Sequence, residues 1–439
     1  MNIYIETLGC ARNQVDGEMM AGQFKKAGFT LVEEPEPAEV IIINTCGFIE
    51  EAINESIDTI LYLAEFKQTG ACRLLVVAGC LTQRFGEKLT PDLPEVDLFI
   101  GTGALDQVPV LIQKALPKGT CFLPDPRGIH FKDYGRTRFT DNNSPFAYLK
   151  IAEGCDKHCT YCIIPALRGR QKSRPMADII EEARMLIDNN KKEIVLVAQE
   201  TTFYGRDLQD GSNISRLLEG ISALSQDIWI RLLYGHPESM DETLIRTLAS
   251  HNNLCAYFDI PIQHASDPIL KKMGRGYQQK DLYRLVDSIR KHVPEAVIRT
   301  TVITGFPGET RKDFNALMAF VRDVQFDHLG AFVYSDFEDL PSHHLPGFVK
   351  PGTARRRHDE LMACQREIST RIHQKYQDRE LTVLIEESPE PGLYVGRTIF
   401  QAPEVDGITY VRAPDLDRGT FAGVRIIDTL EYDFIGEPA

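Results

Sequence analysis

The sequence predicts an α/β protein in three parts: an N-terminal parallel α/β domain, a partial (βα)6 barrel and a small C-terminal antiparallel β-barrel. Three observations carry this prediction. Short apolar runs alternate with segments of helical spacing over residues 1–125, a strand-then-helix order repeats six times over residues 140–374, and from residue 375 to 439 the helical spacing disappears. A chain of 439 residues is also too long for one ordinary core.

In the first part, "NIYIET", "EVIIIN", "RLLVVAG" and "VDLFIG" read as short buried strands, with "GEMMAGQFKKAG" and "EEAINESIDTILYLAEF" as helices. Apolar strands separated by helices imply a parallel sheet covered on both faces. A stretch rich in Pro, Gly, Asp and Asn from Pro124 to Pro145 reads as a linker. In the second part, strands start near Phe146, Glu193, Ile228, Leu254, Ala296 and His328, with helices such as "MADIIEEARMLIDNN" between them. Six units fall short of a complete eight-unit barrel, and their functional site is expected at the C-terminal ends of the strands. "TARRRHDELMACQREISTRIHQKY" is a long amphipathic helix leading out. In the third part, "ELTVLIEE", "LYVGRTI", "ITYVRA" and "GVRIIDTLEYDFIG" are strand-like and separated by Gly, Pro and Asp.

Composition is globular, at 43% hydrophobic and 26% charged, and the apolar runs are strand-sized, so no membrane span is expected. The opening "MNIYIETLGC" lacks a charged region followed by an apolar one; no signal peptide and a cytoplasmic protein are expected. The net charge of −14 sets a bulk field that repels phosphate. Ten cysteines in a reducing compartment are metal ligands, catalytic groups or inert core residues rather than a disulfide framework.

Six of them form two constellations. "GCDKHCTYCIIP" places Cys155, Cys159 and Cys162 directly after the first barrel strand. Three thiolates on a four-iron cluster leave one iron open to a substrate or cofactor. The alternative is a structural zinc loop with His158 as fourth ligand, although zinc sites commonly use paired CxxC spacings. Cys10, Cys46 and Cys80 each follow an expected parallel strand at intervals of 36 and 34 residues. Strand ends of a parallel sheet converge on one crevice, so three thiolates are expected to meet there; an inert buried cysteine is the alternative for any one of them alone.

The CxxxCxxC spacing with Tyr161 before the last cysteine resembles the radical S-adenosylmethionine (SAM) signature. "VITGFPGET" resembles the glycine-containing segment that flanks the adenine of SAM in that family, and "VAQET" lies where the family contacts its methionine part. "ETLGCARNQVDGEMM", "INTCGFIEEA" and "VAGCLTQR" resemble the N-terminal motifs of the radical SAM methylthiotransferases, and the terminal barrel resembles their TRAM domain. The resemblance spans essentially the whole chain. It implies SAM and two 4Fe-4S clusters, with Cys155, Cys159 and Cys162 holding one and Cys10, Cys46 and Cys80 the other. Tyr161, Gln199, Thr304, Gly305 and Gly308 are then the expected SAM-binding residues. No side chain is assigned as catalytic, because the cofactors carry the chemistry: one SAM methylates a sulfur on the second cluster, and another yields a radical that opens a carbon to the methylthio group. Such chemistry needs a site that excludes water. Cys72, Cys121, Cys255 and Cys364 match no motif and read as structural.

Two subfamilies diverge in substrate. The MiaB-like enzymes modify an adenosine in transfer RNA; the RimO-like ones modify the β-carbon of an aspartate in the twelfth small-subunit ribosomal protein. From Lys375 onward there are six basic and thirteen acidic residues, a net −7. That sign suits a basic protein better than an RNA backbone. "GRTIFQAPEVDGITYV" and the Gln-His of "PIQHASDPILKKMGRGY" also resemble the RimO-like subfamily. The basic run Arg168, Arg170, Lys172 and Arg174 is the one local RNA-like feature, but it resembles a segment common to both subfamilies, and it suits SAM's carboxylate or acidic neighbours equally. The expected partners are therefore the ribosomal protein and an electron donor such as flavodoxin or ferredoxin, with no direct RNA binding and a monomeric chain. A non-catalytic cluster scaffold would gain nothing from two open iron sites.

Overall fold

The computed structural model describes residues 1–128, 135, 138–140 and 143–439; part of the expected linker from Pro124 to Pro145 lies outside the described residues. The chain divides into two compact units. One comprises Met1–Asp141, Lys150–Lys157 and Cys162–Glu182; the other comprises Asn142–Leu149, His158–Tyr161 and Ala183–Ala439.

The first unit is built on a six-stranded parallel sheet. Its strand order is Thr30–Leu31, Asn2–Thr7, Val40–Thr45, Leu74–Gly79, Leu98–Ile100 and Thr120–Phe122. Val40–Thr45 is buried along its whole length, as expected of a central strand covered by helices on both faces. Ile3, Ile42, Val76 and Ile100 share one core with Met20 and Phe24 of the helix Ala11–Lys26. The four inner strands are those expected from sequence; the two outermost strands were not.

In the second unit Phe146–Lys150 lies beside Glu193–Val197, which pairs in parallel with Trp229–Leu232. Ile230 bridges in parallel to Leu254, just ahead of Tyr257–Asp259. That strand pairs in parallel with Val297–Thr304, and this one with His328–Val333. The first and last of the six strands are not neighbours in any sheet, so the barrel is open. The helix Pro351–His373 leads from it to a closed five-stranded barrel of Glu380–Glu390, Leu393–Thr398, Thr409–Arg412, Phe421–Thr429 and Phe434–Pro438. All its pairings are antiparallel except Thr409–Arg412 with Phe434–Pro438. The expected strand "GVRIIDTLEYDFIG" is two strands, joined by a turn in which the Leu430 N–H donates to the Asp433 carbonyl at 2.8 Å.

The loop Ile399–Gly407 of the small barrel closes over charged side chains near the N-terminal ends of the six strands. Arg231 donates to Glu193 at 2.6 Å and to the Ile399 carbonyl at 3.0 Å. Arg397 donates to Glu193 and Glu386, both at 2.6 Å. Tyr148 donates to Glu404 at 2.7 Å, Tyr257 to Asp406 at 2.5 Å, and Arg299 lies 3.4 Å from Asp406. Hydrogen-bonded charge thus covers much of the end opposite the expected site, beside a cleft of about 420 Å³ lined by Arg299, His328 and Asp406. No helix among the described residues is long and apolar enough to cross a membrane.

Arg397 is almost fully buried between two carboxylates. Arg397→Ala leaves Glu193 and Glu386 without it, so the second unit is expected to lose about 3–5 kcal/mol, read from the midpoint of chemical denaturation. Burial also pushes the His264 and His373 imidazoles down, to about 3 and about 4. Folding favours their neutral forms, so this contribution is complete above about pH 6.5 and is lost as pH falls toward about 4. The melting temperature should fall over that window, and less steeply in a His373→Asn variant.

Candidate metal centres

The sheet of the first unit delivers Cys10, Cys46 and Cys80 to one edge. Each lies at or within three residues of the C-terminal end of a strand: Asn2–Thr7, Val40–Thr45 and Leu74–Gly79. Two glycines let the loops close. Gly9 has φ +92°, and a Cβ there would stand 2.6 Å from Cys46 Cβ and 3.1 Å from its sulfur. Gly79 has φ +100°, and its Cβ would stand 2.7 Å from the Thr45 carbonyl oxygen and from Asn44 Oδ1. Asn13 ties the loops together: its amide donates to the Leu8 carbonyl at 2.6 Å and to the Asn44 carbonyl at 3.0 Å. Thr45 donates to the Ala78 carbonyl at 2.7 Å.

The thiols feel one another. Burial pushes the Cys46 thiol up to about 11, and the neighbouring Cys80 and Cys10 add to it. Burial raises Cys80 as well, against Arg168. At Cys10 burial acts in the same direction, but Arg12, a backbone N–H from Asn13 and Arg168 turn the net shift downward. Cys80 is buried and Cys10 and Cys46 are half-buried, and three thiols gathered this closely suit a cationic group that would favour their ionised forms. Among the described residues no three His, Cys, Asp or Glu side chains stand at the spacing of a single metal ion; a four-iron cluster is a wider body, and thiolates only are its usual donors. The residues therefore fit a cluster.

Around this site lies a buried charge network. Lys150 pairs with Asp16, and with Glu153 at 2.7 Å. Arg168 donates to Asp16 at 2.6 Å and to Glu153 at 3.4 Å from one nitrogen, and to Asn13 Oδ1 at 3.2 Å and Cys80 Sγ at 3.3 Å from the other. Burial would raise Asp16 and Glu153, but Lys150 and Arg168 hold both carboxyls below their ordinary values. The basic run seen in the sequence thus splits. Arg168 and Arg174 are buried, the latter on Glu182 at 2.6 Å, and Arg170 is exposed.

Cys155, Cys159 and Cys162 are half-buried. In the first unit, the Lys157 backbone N–H donates to Cys155 Sγ at 3.4 Å, and the Cys155 N–H donates to the Gly169 carbonyl at 3.1 Å. Hydrogen bonds to the sulfurs tune a cluster's potential, so this N–H suits a ligating thiolate. In the second unit, Thr160 donates through its hydroxyl to the Lys272 carbonyl at 2.8 Å and through its N–H to the Met273 carbonyl at 3.1 Å.

The expected SAM-binding residues all belong to the second unit. Tyr161 packs edge-on against Phe306 at 6.4 Å, with the Arg275 guanidinium 5.9 Å from its ring centre. Gln199 follows the strand Glu193–Val197, and Thr304 ends Val297–Thr304 while donating to the Ala354 carbonyl at 3.2 Å. Gly305 and Gly308 have little room for a side chain: Cβ atoms there would meet Ala354 Cβ and Lys272 Nζ. Both have positive φ, +79° and +83°, so the backbone itself favours glycine, whereas the Lys272 tip facing Gly308 is flexible. The residues that sequence reasoning missed are Asn13, Asp16, Lys150 and Glu153. The one signal for them was a lysine inside the apolar strand "FAYLKIAEGC", since charge inside an apolar strand is rare unless paired.

Comparisons with known proteins agree with this architecture. Residues 2–101 match the family described as "Uncharacterized protein family UPF0004", residues 149–321 the Radical SAM superfamily and residues 379–438 the TRAM domain. The chain is 50% identical over 439 residues to a protein of Desulfosudis oleivorans named ribosomal protein uS12 methylthiotransferase RimO, covering all of both chains. It is 44% identical to the protein of that name in Clostridioides difficile, covering 100% of this chain and 98% of that one. Among solved structures, the radical SAM methyltransferase TsrM of Kitasatospora setae aligns with a TM-score of 0.60 at 14% identity, covering 78% of this chain and 74% of that one; this likeness shows the fold alone.

Gly9 tests the N-terminal centre. In Gly9→Ala the new Cβ collides with Cys46, so anaerobic reconstitution should yield about four irons per chain where the parent yields about eight. Gly28→Ala is the control, because Gly28 also has positive φ but no atom within 4 Å of the added Cβ. Equal iron in the parent and Gly9→Ala would contradict the assignment.

Proposed function

The chain belongs to the family of ribosomal protein uS12 methylthiotransferases, within the Radical SAM superfamily, and on that premise we propose that it adds a methylthio group to the β-carbon of an aspartate in uS12. It is a transferase of the radical SAM class, and that class implies SAM and a 4Fe-4S cluster. We assign this cluster to Cys155, Cys159 and Cys162, and a second one to Cys10, Cys46 and Cys80. When bound, the first supplies the electron that generates a radical from SAM, and the second carries the sulfur to be transferred.

The chain's own residues prepare these sites. Gly9, Gly79 and Asn13 bring the three strand ends together, and the Lys157 N–H donates to one sulfur of the other triad. Tyr161, Gln199, Thr304, Gly305 and Gly308 are proposed to line the SAM site. Charge-paired Arg231, Arg299 and Arg397 pack the far end of the barrel.

The observation that carries the substrate choice is the surface of the small barrel. Arg397 and four of the thirteen acidic residues are withdrawn from the exposed set, and nine acidic against five basic side chains remain exposed from Lys375 onward. An acidic face suits a basic ribosomal protein and repels a nucleic-acid backbone. A transfer-RNA adenosine as substrate is not favoured by the relatives' names or by this charge. A flavodoxin or ferredoxin as electron donor, a monomeric state and a cytoplasmic location complete the proposal.

The test incubates reconstituted enzyme with SAM, a reductant and either uS12 or transfer RNA, and weighs both products. A methylthio mass gain on uS12 alone is expected. A gain on RNA alone would keep the chemistry and overturn the substrate.

A further inference from the structure

We propose that Arg168 is a positioning residue for the N-terminal centre: its guanidinium holds the Cys80 sulfur in place as a ligand and draws electron density from the cluster that sulfur serves. The inference rests on reading Cys10, Cys46 and Cys80 as cluster ligands.

The geometry is specific. One terminal nitrogen of Arg168 is committed to carboxylates, at 2.6 Å from Asp16 and 3.4 Å from Glu153. The other is left to Cys80 Sγ at 3.3 Å and Asn13 Oδ1 at 3.2 Å. The side chain is 3% exposed, so no water competes for these bonds. Its backbone is held too. Arg168 ends the short helix Ile164–Arg168, and the preceding Leu167 carbonyl accepts from the Thr102 hydroxyl at 2.5 Å. Two cations, Lys150 and Arg168, balance two carboxylates, Asp16 and Glu153, so the guanidinium is anchored by its acidic edge and cannot swing away from sulfur.

A donor aimed at a ligating thiolate takes charge from the sulfur, stabilises the reduced cluster and raises its reduction potential. The planar fork matters here. A lysine ammonium is a point charge that serves the carboxylates without also reaching sulfur. Arg168 follows Cys162 by six residues in sequence, so the segment carrying one cysteine triad supplies a donor to the other.

The experiment uses the full chain with Cys155, Cys159 and Cys162 replaced by Ala, so that only the N-terminal centre remains. In that background three proteins are compared: native Arg168, Arg168→Lys, and the charge-balanced double variant Arg168→Gln with Asp16→Asn. Iron and sulfide content, the midpoint potential followed by electron paramagnetic resonance, and the melting temperature of the metal-free chain are measured. Full iron with the midpoint shifted to lower potential in both variants is the expected result. Loss of iron with an unchanged melting temperature also supports Arg168 as the residue that holds Cys80. Full iron with an unchanged potential and spectrum overturns the proposal. So does loss of iron together with a lowered melting temperature, which would assign Arg168 to folding. If the native-Arg168 protein binds no iron, the cluster reading itself fails, and that outcome is distinct from the others.

Discussion

Four buried charges hold the N-terminal centre together. Lys150 and Arg168 are almost inaccessible, and so are Asp16 and Glu153. Taking any one of them out of water alone would cost several kcal/mol, so each is tolerated only because the other three are in place. The set is drawn from the helix after Cys10 and from segments on both sides of the Cys155 loop. Satisfying the charges therefore brings these stretches to one place, and the placement of Cys80 beside Arg168 follows from it.

The second unit applies the same rule at the base of its barrel. Near the N-terminal ends of the strands, Glu193, Arg231 and His328 are buried and Arg299 is half-buried. The small C-terminal barrel supplies what they lack: Arg397, Asp406, and the carbonyls of Ile399 and Phe400. This loop makes the terminal domain part of the barrel's packing. Packing withdraws Arg397 and four carboxylates, those of Glu386, Asp406, Asp433 and Glu437, from the exposed surface, and the side chains left in solvent are still acidic in balance.

Much of the fold was legible from residue patterns. The six barrel strands begin within three residues of their expected starts, because each is a short, mainly apolar segment set between helices. The edge strands Thr30–Leu31 and Thr120–Phe122 were not legible. They are two and three residues long and are not fully buried, so they carry no periodic signal. The cysteine triads were legible for different reasons: one from local spacing, the other from the rule that parallel strand ends converge. The charge network was not. Lys150 drew no reading inside its strand, and Arg168 read as one of four basic residues spaced two apart.

By itself the sequence determined the order of the elements, the six candidate ligands and the family. Each depends on local pattern or on recurring motifs, and both survive in a linear string. Tertiary structure alone decided which basic residue meets sulfur. Arg168 lies 152 positions from Asp16 and 88 from Cys80. Nothing local separates it from Arg170, which ends up in solvent. The difference is burial. Only a folded chain removes water from one guanidinium and leaves it on the other, and only the dry one has its donors directed by the protein.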